Sequence, residues 1–481
     1  MGVLTSKTQG IRRMTWQATD RGVLVVCAIV TCALGCKHTD PGPDLQIVGE
    51  TLQLRPSDPV PATSPWFDGH RISLVAARGE ILGLQILHRG GGPVTMTLPG
   101  ATGYEVHRVH VASGSTDMYG GGRGRGDYPD ELVPAAEPAT DPAYFTIRSD
   151  ADANGELVVG GRRIPVSLHV VPVVMPALPL DVWAYYDPRE LGGTLDAPTA
   201  AERACIAMFA EHGVLLSPDM PPSAWAARKD LVPTPYVPAV IHGADDVTAW
   251  VAQAPDRQVF AIPIDEPHTP SDRAKVVALA KIVRQAGGGR FHFAVTDTPH
   301  AEYGDLVDLY IAAKAAHLTG DTYDRWTYNG TPPQAGAMVV DAEPPGTRTW
   351  GWIAYRYRIA VWYVWDALYW HDRHNKKAVL DATRNAISFD DGDDHGNLDG
   401  VLALPGCHPT LRLEALRRGY QDRALLQLAE KCHPAETSAL AGKLVPRALA
   451  DAKGDPAWPI DEAAWETARR DLLELATCDR R

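Results

Sequence analysis

From Gln46 to about Val174 the chain alternates short apolar runs with clusters of Gly, Pro, Asp and Asn. The runs at 72–75, 81–87, 94–98, 105–111, 144–147 and 166–174 are strand-sized and separated by turn residues. That spacing predicts an all-β sandwich over residues 46–177. Near Leu178 the pattern changes, and strand-like runs alternate with stretches that are apolar at helical spacing. Strands are predicted at 180–185, 213–216, 258–264, 291–295 and 309–312, and helices at 199–212, 245–253 and 271–286. Further on, 356–365 reads as a helix, 367–370 as a strand and 411–431 as a long helix. Alternation of this kind predicts a (β/α)8 barrel across residues 178–432. The tail, 433–481, is mostly helical. The expected fold is thus α/β plus all-β: a C-terminal (β/α)8 TIM-like barrel preceded by an N-terminal β-sandwich.

The first 36 residues follow a different logic. Lys7, Arg12, Arg13 and Arg21 precede an apolar run at 23–34, too short to cross a ~30 Å hydrocarbon core comfortably. A basic segment followed by a short apolar one reads as a secretory signal peptide. It closes on Ala33-Leu34-Gly35-Cys36, which resembles a bacterial lipobox with Cys36 as the lipidated residue and 37–45 as a tether. The competing reading is an uncleaved N-terminal anchor. The expected location is the bacterial cell envelope, lipid-anchored at the outer membrane on its periplasmic or surface side. Past Cys36 the cysteines are Cys205, Cys407, Cys432 and Cys478; three pairings are open, Cys407 with Cys432 among them.

Composition narrows the partners. With 45% hydrophobic and 22% charged residues the chain is globular. A net charge of -13 without a basic block argues against nucleic acid. Trp 13 and Tyr 16 against Phe 7 suits flat polar ligands such as sugars, although aromatic packing produces the same bias. There is no phosphate-binding glycine loop, no nucleophile elbow and no Cys/His zinc spacing, so neither a cofactor nor a metal is expected. The acidic run at 390–399 imitates a calcium loop, but the twelfth position from Asp391 is Leu402 instead of Glu.

The sharpest local feature is Phe260-Ala261-Ile262-Pro263-Ile264-Asp265-Glu266-Pro267-His268, an apolar strand that ends in adjacent carboxylates and a proline. Strand C-termini of a barrel face its active site. Two acids there take different roles when their surroundings separate their proton affinities. The plainer reading is a pair of solvated loop acids before a helix capped by Thr269. Trp183, Tyr185, Tyr186 and Asp187 follow the first barrel strand, Trp326, Tyr328 and Asn329 lie near a later strand end, and Trp370, His371 and Asp372 end another. Aromatics in such places form platforms for sugar rings, and core packing is the commoner explanation for any one of them.

Longer motifs add to this. They are Ala77-Arg78-Gly79-Glu80 with Gln85, Tyr128-Pro129-Asp130-Glu131-Leu132-Val133-Pro134, the run from Arg358 through Trp362 and Trp365 to Leu368-Tyr369-Trp370, Leu404-Pro405-Gly406, and Arg412, Glu414, Arg417, Arg418, Gly419 and Asp422 on one helix. In order and spacing they resemble the catalytic domain of glycoside hydrolase family 123 over most of residues 70–430, with Trp365 and Ala367 where that family carries glycines. The resemblance implies an exo-acting N-acetyl-β-galactosaminidase in which the sugar's own 2-acetamido oxygen attacks the anomeric carbon. Carried onto this chain, it makes Glu266 the general acid and Asp265 the acceptor of the acetamido N–H. Tyr328 becomes a candidate donor to the acetamido oxygen, and Trp326, Trp370 and Trp183 candidate substrate-binding walls.

The expectation is an exported, retaining, substrate-assisted β-N-acetylhexosaminidase. Its partners would be a β-linked N-acetylhexosaminide glycan and, through its N-terminal lipid, a membrane, with no cofactor and no nucleic acid. The alternative is a catalytically silent carbohydrate-binding or envelope-structural lipoprotein on the same fold. A third reading, a glycosidase for sugars without the acetamido group, requires a separate carboxylate nucleophile ~5 Å from Glu266. The helix bearing Arg412, Glu414, Arg417 and Asp422 is expected to hold barrel and sandwich together.

Overall fold

Period-two burial governs the N-terminal segment of the computed structural model. Along Ile72–Arg78, Ile72, Leu74 and Ala76 turn inward while Ser73 and Arg78 face solvent, as a strand with one buried face requires. The structure describes residues 43–135, 142–312, 325–373, 380–390 and 392–478; the signal segment, Cys36 and most of the tether lie outside the described residues. Leu45–Val48, Glu80–His88, Ala143–Ser149, Ala101–Val111 and Gly126–Pro134 form, in that order, a five-stranded antiparallel sheet. Ile72–Arg78, Arg162–Val174, Ala153–Val159 and Val94–Met96 form a second sheet whose first pair is parallel. Leu84, Ile86 and Ile147 from one sheet share an apolar cluster with Leu74, Leu157 and Val166 from the other.

Beyond Val174 short strands run parallel and pair in sequence order. They are Val182–Ala184, Val214–Leu216, Tyr236–Pro238, Gln258–Ala261, Phe291–Val295, Leu309–Tyr310, Arg325–Tyr328 and Ile359–Val364. Ladders join most neighbours, and single bridges, Met220 to Ala239 and Ile311 to Trp326, join the rest. The last strand pairs with the first, so the order closes on itself and every strand ends on the same side. The chain is therefore mixed α/β with several sheets. Its helices start where the sequence offers caps. Thr199 and Glu202 form a reciprocal capping box before Ala200–Glu211, and Thr269 accepts from the backbone of Asp272 before Pro270–Gly287. Among the described residues no helix is long and apolar enough to cross a membrane.

Two expected elements are corrected. The helix expected at 356–365 is instead the end of the helix Thr349–Tyr357 followed by the strand Ile359–Val364. Arg358 takes φ 54 and ψ 46, which stops the helix, and Val361, Trp362, Tyr363 and Val364 are of the branched and aromatic types that fit a pleated surface. Residues 367–370, expected as a strand, form a loop, because Asp366 accepts from the backbone of Leu368 at 3.0 Å and Trp370 N–H bonds Leu368 O at 2.7 Å. Cysteine pairing is also resolved: Cys205 bonds Cys407 and Cys432 bonds Cys478, so Cys407 and Cys432 are not partners.

The helix Leu411–Glu430 is buried at every position from Leu411 to Leu426 although it carries arginines and acids throughout. Arg412 binds Asp130 of the first sheet at 2.8 Å. Arg418 binds Glu80 at 2.9 Å and Glu466 of the helix Glu462–Ala476 at 3.0 Å. Asp422 takes Arg348 at 3.1 Å. Glu414 pairs locally with Arg417 and with His212. Asp422 thus serves Arg348, and the i,i+4 spacing to Arg418 goes unused as an ion pair. The described residues from Pro43 onward cluster as one compact unit.

At one edge of this network Glu462 is buried, accepting from Gly49 N at 3.0 Å and Thr51 Oγ1 at 2.9 Å, with Glu466 and Glu50 close by. Burial pushes its pKa from 4.5 up to about 7. A carboxyl whose folded value is raised favours folding below its unfolded value and loses that contribution as pH rises through the folded one. Between about pH 4.5 and pH 7 the wild type should therefore lose on the order of 3 kcal/mol relative to Glu462→Gln. Urea unfolding of both chains across that range checks this, and parallel pH profiles would refute it.

Candidate active site

Parallel strands that close on themselves bring their C-terminal ends to one rim. Tyr185 follows the first strand, Asp219 the second, Asp265 and Glu266 the fourth, and Thr296 and Asp297 the fifth. Tyr328 ends the seventh strand, and Tyr363 lies near the end of the eighth. The site grows from Glu266, whose φ of 40 lies in the left-handed region, a conformation that costs a bulky residue about 1–3 kcal/mol. Three features hold it there. Its N–H donates to Thr296 Oγ1 at 2.7 Å, its carbonyl accepts from His268 N at 2.7 Å, and Pro267 fixes the next residue. In an intact strand, neighbouring side chains point to opposite faces; this break lets Asp265 and Glu266 act on the same surroundings.

Thr296 is the hinge of the pair. The hydroxyl that accepts from Glu266 also donates to Asp265 Oδ1 at 2.5 Å. Across the rim, the Tyr328 hydroxyl donates to Glu266 Oε1 at 3.0 Å, and His268 Nε2 lies 3.3 Å from Glu266 Oε2. Asp297, next in sequence to Thr296, accepts from the Tyr303 hydroxyl at 2.8 Å. Although Asp265 reaches solvent, the protein around it and then the charge of Glu266 push its pKa up against the opposing Thr296 bond. Asp219 is pushed up to about 7 by burial and by Asp265. Tyr328 is raised by burial, by the charge of Glu266 and by its hydrogen bond to it, and Tyr185 to about 12 by burial and then Asp219. The rim thus holds adjacent carboxyls, a third carboxyl that exchanges its proton near neutrality, and phenols that remain donors. Such a set can transfer a proton to a leaving group and orient a polar substituent beside it.

The expected site residues separate into layers. Asp265, Glu266 and Tyr328 meet at the rim. Trp183 and Trp326, expected as walls, are 3% and 1% exposed and form the packed interior beneath it. Trp183 stacks on Tyr363 at 4.4 Å and meets the Phe260 edge at 5.0 Å, and Phe260 meets Trp326 at 4.7 Å. Their contribution is to fix the floor. Trp370 is not brought to the acids. It belongs to a different apolar cluster, donates Nε1 to Ala403 O at 2.8 Å, and lines a separate cavity of about 240 Å³ with Asp372 and Asn385. Sequence reasoning missed Asp219, Thr296 and Tyr363. Asp219 had a usable signal, since Val214-Leu215-Leu216-Ser217-Pro218-Asp219 repeats the pattern of an apolar run, a proline and an acid.

No family model matches the chain, and no curated protein matches it. Among solved structures it is similar to a family 123 glycoside hydrolase from Clostridium perfringens, studied for glycolipid glycan hydrolysis. That likeness has 12% identity and a TM-score of 0.61, and covers 90% of this chain and 97% of that one. The chain therefore has the fold of a family 123 glycoside hydrolase. An FMN-binding β-glucuronidase from Facaelibacterium prausnitzii L2-6 aligns at 10% identity and a TM-score of 0.27, over 73% of this chain and 60% of that one, a level that says nothing about fold.

Thr296 is 5% exposed, and Thr296→Val keeps its shape while removing the hydroxyl. The Glu266 N–H and Asp265 Oδ1 then lose their shared partner, which should cost about 1–2 kcal/mol in urea unfolding. Unchanged stability would mean that the hydroxyl does not hold the strained turn.

Proposed function

We propose that this chain is an exported glycoside hydrolase, a retaining, substrate-assisted β-N-acetylhexosaminidase. Its fold we read as a (β/α)8 barrel behind an N-terminal β-sandwich. The observation that carries the reading is the strained Asp265-Glu266 turn, in which one threonine hydroxyl ties both acids and Tyr328 meets Glu266 from across the rim. Glu266 protonates the glycosidic oxygen as the bond from the anomeric carbon breaks. The substrate's acetamido oxygen closes onto that carbon from the other side, forming an oxazolinium ion. Asp265 accepts the acetamido N–H, orienting the group and steadying the positive charge. Water then adds at the anomeric carbon, giving its proton to Glu266 and opening the ring. The fold shared with a hydrolase that acts on glycolipid glycans supports a glycan substrate, and a galactosamine-configured sugar is the form implied by the family resemblance.

Asp219 favours a second reading. A third carboxyl at the same rim is the group that would serve as nucleophile for a sugar lacking the acetamido group. Hydrolysis of a panel of chromogenic β-glycosides by purified residues 37–481 separates the readings. Glycosides with a 2-acetamido group should be cleaved and their 2-hydroxyl counterparts spared. Glu266→Gln should slow substrates with poor leaving groups by roughly 10²–10⁴-fold and activated aryl glycosides less, while Asp265→Asn should damage both. Equal cleavage of the two sugar classes, lost in Asp219→Asn, would instead establish the nucleophile reading. Binding of glycan without any turnover would leave a silent carbohydrate-binding lipoprotein.

The envelope location belongs to the same proposal. Disulfides form and persist in oxidising compartments, so the two cystines favour export, and Cys36 is the residue that would carry the lipid. Cys36→Ser expressed in a bacterium should move the protein from the membrane to the soluble fraction. Retention in the membrane would point to the uncleaved anchor.

A further inference from the structure

At the opposite end of the parallel strands lies a cavity of about 410 Å³ lined by Arg356, Arg358, Arg423, Gln427, Glu430 and Ser438, among others. Ile359 and Ala360, where the eighth strand begins, are also in its wall, so it is remote from the rim that holds Glu266. Its charge runs against that of the chain. Acidic residues outnumber basic ones 59 to 46 overall, yet here Arg356, Arg358 and Arg423 line the wall with one carboxylate, Glu430, already engaged by the Tyr355 hydroxyl, and with Asp181 paired to Arg423 behind it.

Three details mark the arginines as more than surface charge. Arg423 is 8% exposed; its Nη1 binds Asp181 at 2.6 Å and its Nη2 reaches Ile359 O at 3.3 Å, but its buried Nε has no partner among the described residues. A buried N–H without an acceptor is costly, and this one belongs to a side chain in the cavity wall. Arg356 gives one N–H to Val445 O and forms no ion pair among the described residues. Arg358 closes the helix Thr349–Tyr357 with φ 54 and ψ 46, a position that glycine fills most easily. Arg358 is exposed, lines the cavity and meets no carboxylate at ion-pair distance among the described residues. The guanidinium groups of Arg356 and Arg358, which meet no carboxylate among the described residues, match an oxyanion beside a serine hydroxyl and a glutamine amide. The volume exceeds that of a bare ion and falls in the range of small-molecule sites.

We propose that this cavity is a binding site for a small molecule carrying a phosphate or sulfate group, held by Arg356, Arg358 and Arg423. The test is calorimetric titration of purified residues 37–481 with inorganic phosphate, inorganic sulfate, a hexose 6-phosphate and the neutral hexose, at constant ionic strength. The expected result is saturable binding of one anion per chain with a rise in Tm, and none of the neutral hexose. Tighter binding of the hexose phosphate than of phosphate would assign the anion to a sugar-sized carrier; equal binding would assign it to the free ion. Arg358→Gly removes the side chain at a backbone conformation that suits glycine. It should match or exceed the wild-type Tm without anion, while weakening phosphate binding at least tenfold. Arg356→Gln should weaken it as well. No saturable binding of any anion, or binding undiminished in both variants, would overturn the proposal. Glycoside hydrolysis at the far rim should be the same in Arg358→Gly and wild type, so failure here and failure of the hydrolase reading are distinguishable.

Discussion

A guanidinium group removed from water must be met by a carboxylate in good geometry, and the helix Leu411–Glu430 imposes that demand repeatedly. Desolvation costs several kcal/mol per ion, and Arg412, Arg417 and Arg418 are all buried. Arg417 is met by Glu414 on the same helix, while Arg412 and Arg418 draw their partners from elsewhere: Asp130 and Glu80 from the first sheet and Glu466 from the last helix, with Arg348 closing the circuit through Asp422 and Glu466. Arg412 engages Asp130 through both Nε and Nη2, which sets orientation as well as distance. An apolar helix could slide by a fraction of a turn and repack. This one cannot, because removing one partner strands a buried charge at a cost of about 3–5 kcal/mol.

The rim uses the same principle on a smaller scale. Glu266 occupies a backbone conformation that it would abandon if free, and the hydroxyl of Thr296, one strand away, holds it by accepting from the Glu266 N–H. A single hydroxyl therefore couples the shape of one loop to the charge distribution of its neighbour. The tryptophans beneath make the floor incompressible, since Trp183, Phe260 and Trp326 interlock edge to face.

Much of this was legible in the chain. Alternation located six of the nine strands of the N-terminal sheets but not Leu45–Val48, Gly126–Pro134 or Ala153–Val159, and apolar runs that stop at Asp265 and Tyr328 marked strand ends whose residues meet. The charged helix was readable as a clamp, because so many ions at helical spacing have no single solvated face. What was not legible depended on contacts distant in sequence. The aromatic run after Arg358 carries helical spacing and strand-forming residues at once, and only the left-handed Arg358 decides between them. Trp326 and Trp370 have the same local signature, an aromatic near a strand end. One is floor and the other lies elsewhere, because closure of the parallel strands determines which side chains share an interior. The pairing of Cys205 with Cys407 likewise follows from where the first helix and the start of the clamp meet.

The first sheet of this protein is finished by its last helix. Glu80 is fully buried and held by Arg418 and Arg469, the second of them 389 residues further along the chain. A polypeptide that emerges from a ribosome with its N-terminus leading must keep Glu80 hydrated until nearly the whole sequence has been made. Its early strands can pair, but they cannot be sealed. Such long-range closure slows folding. It also leaves the nascent chain pliable until its last helix is made, so that the order of synthesis and the order of consolidation run in opposite directions.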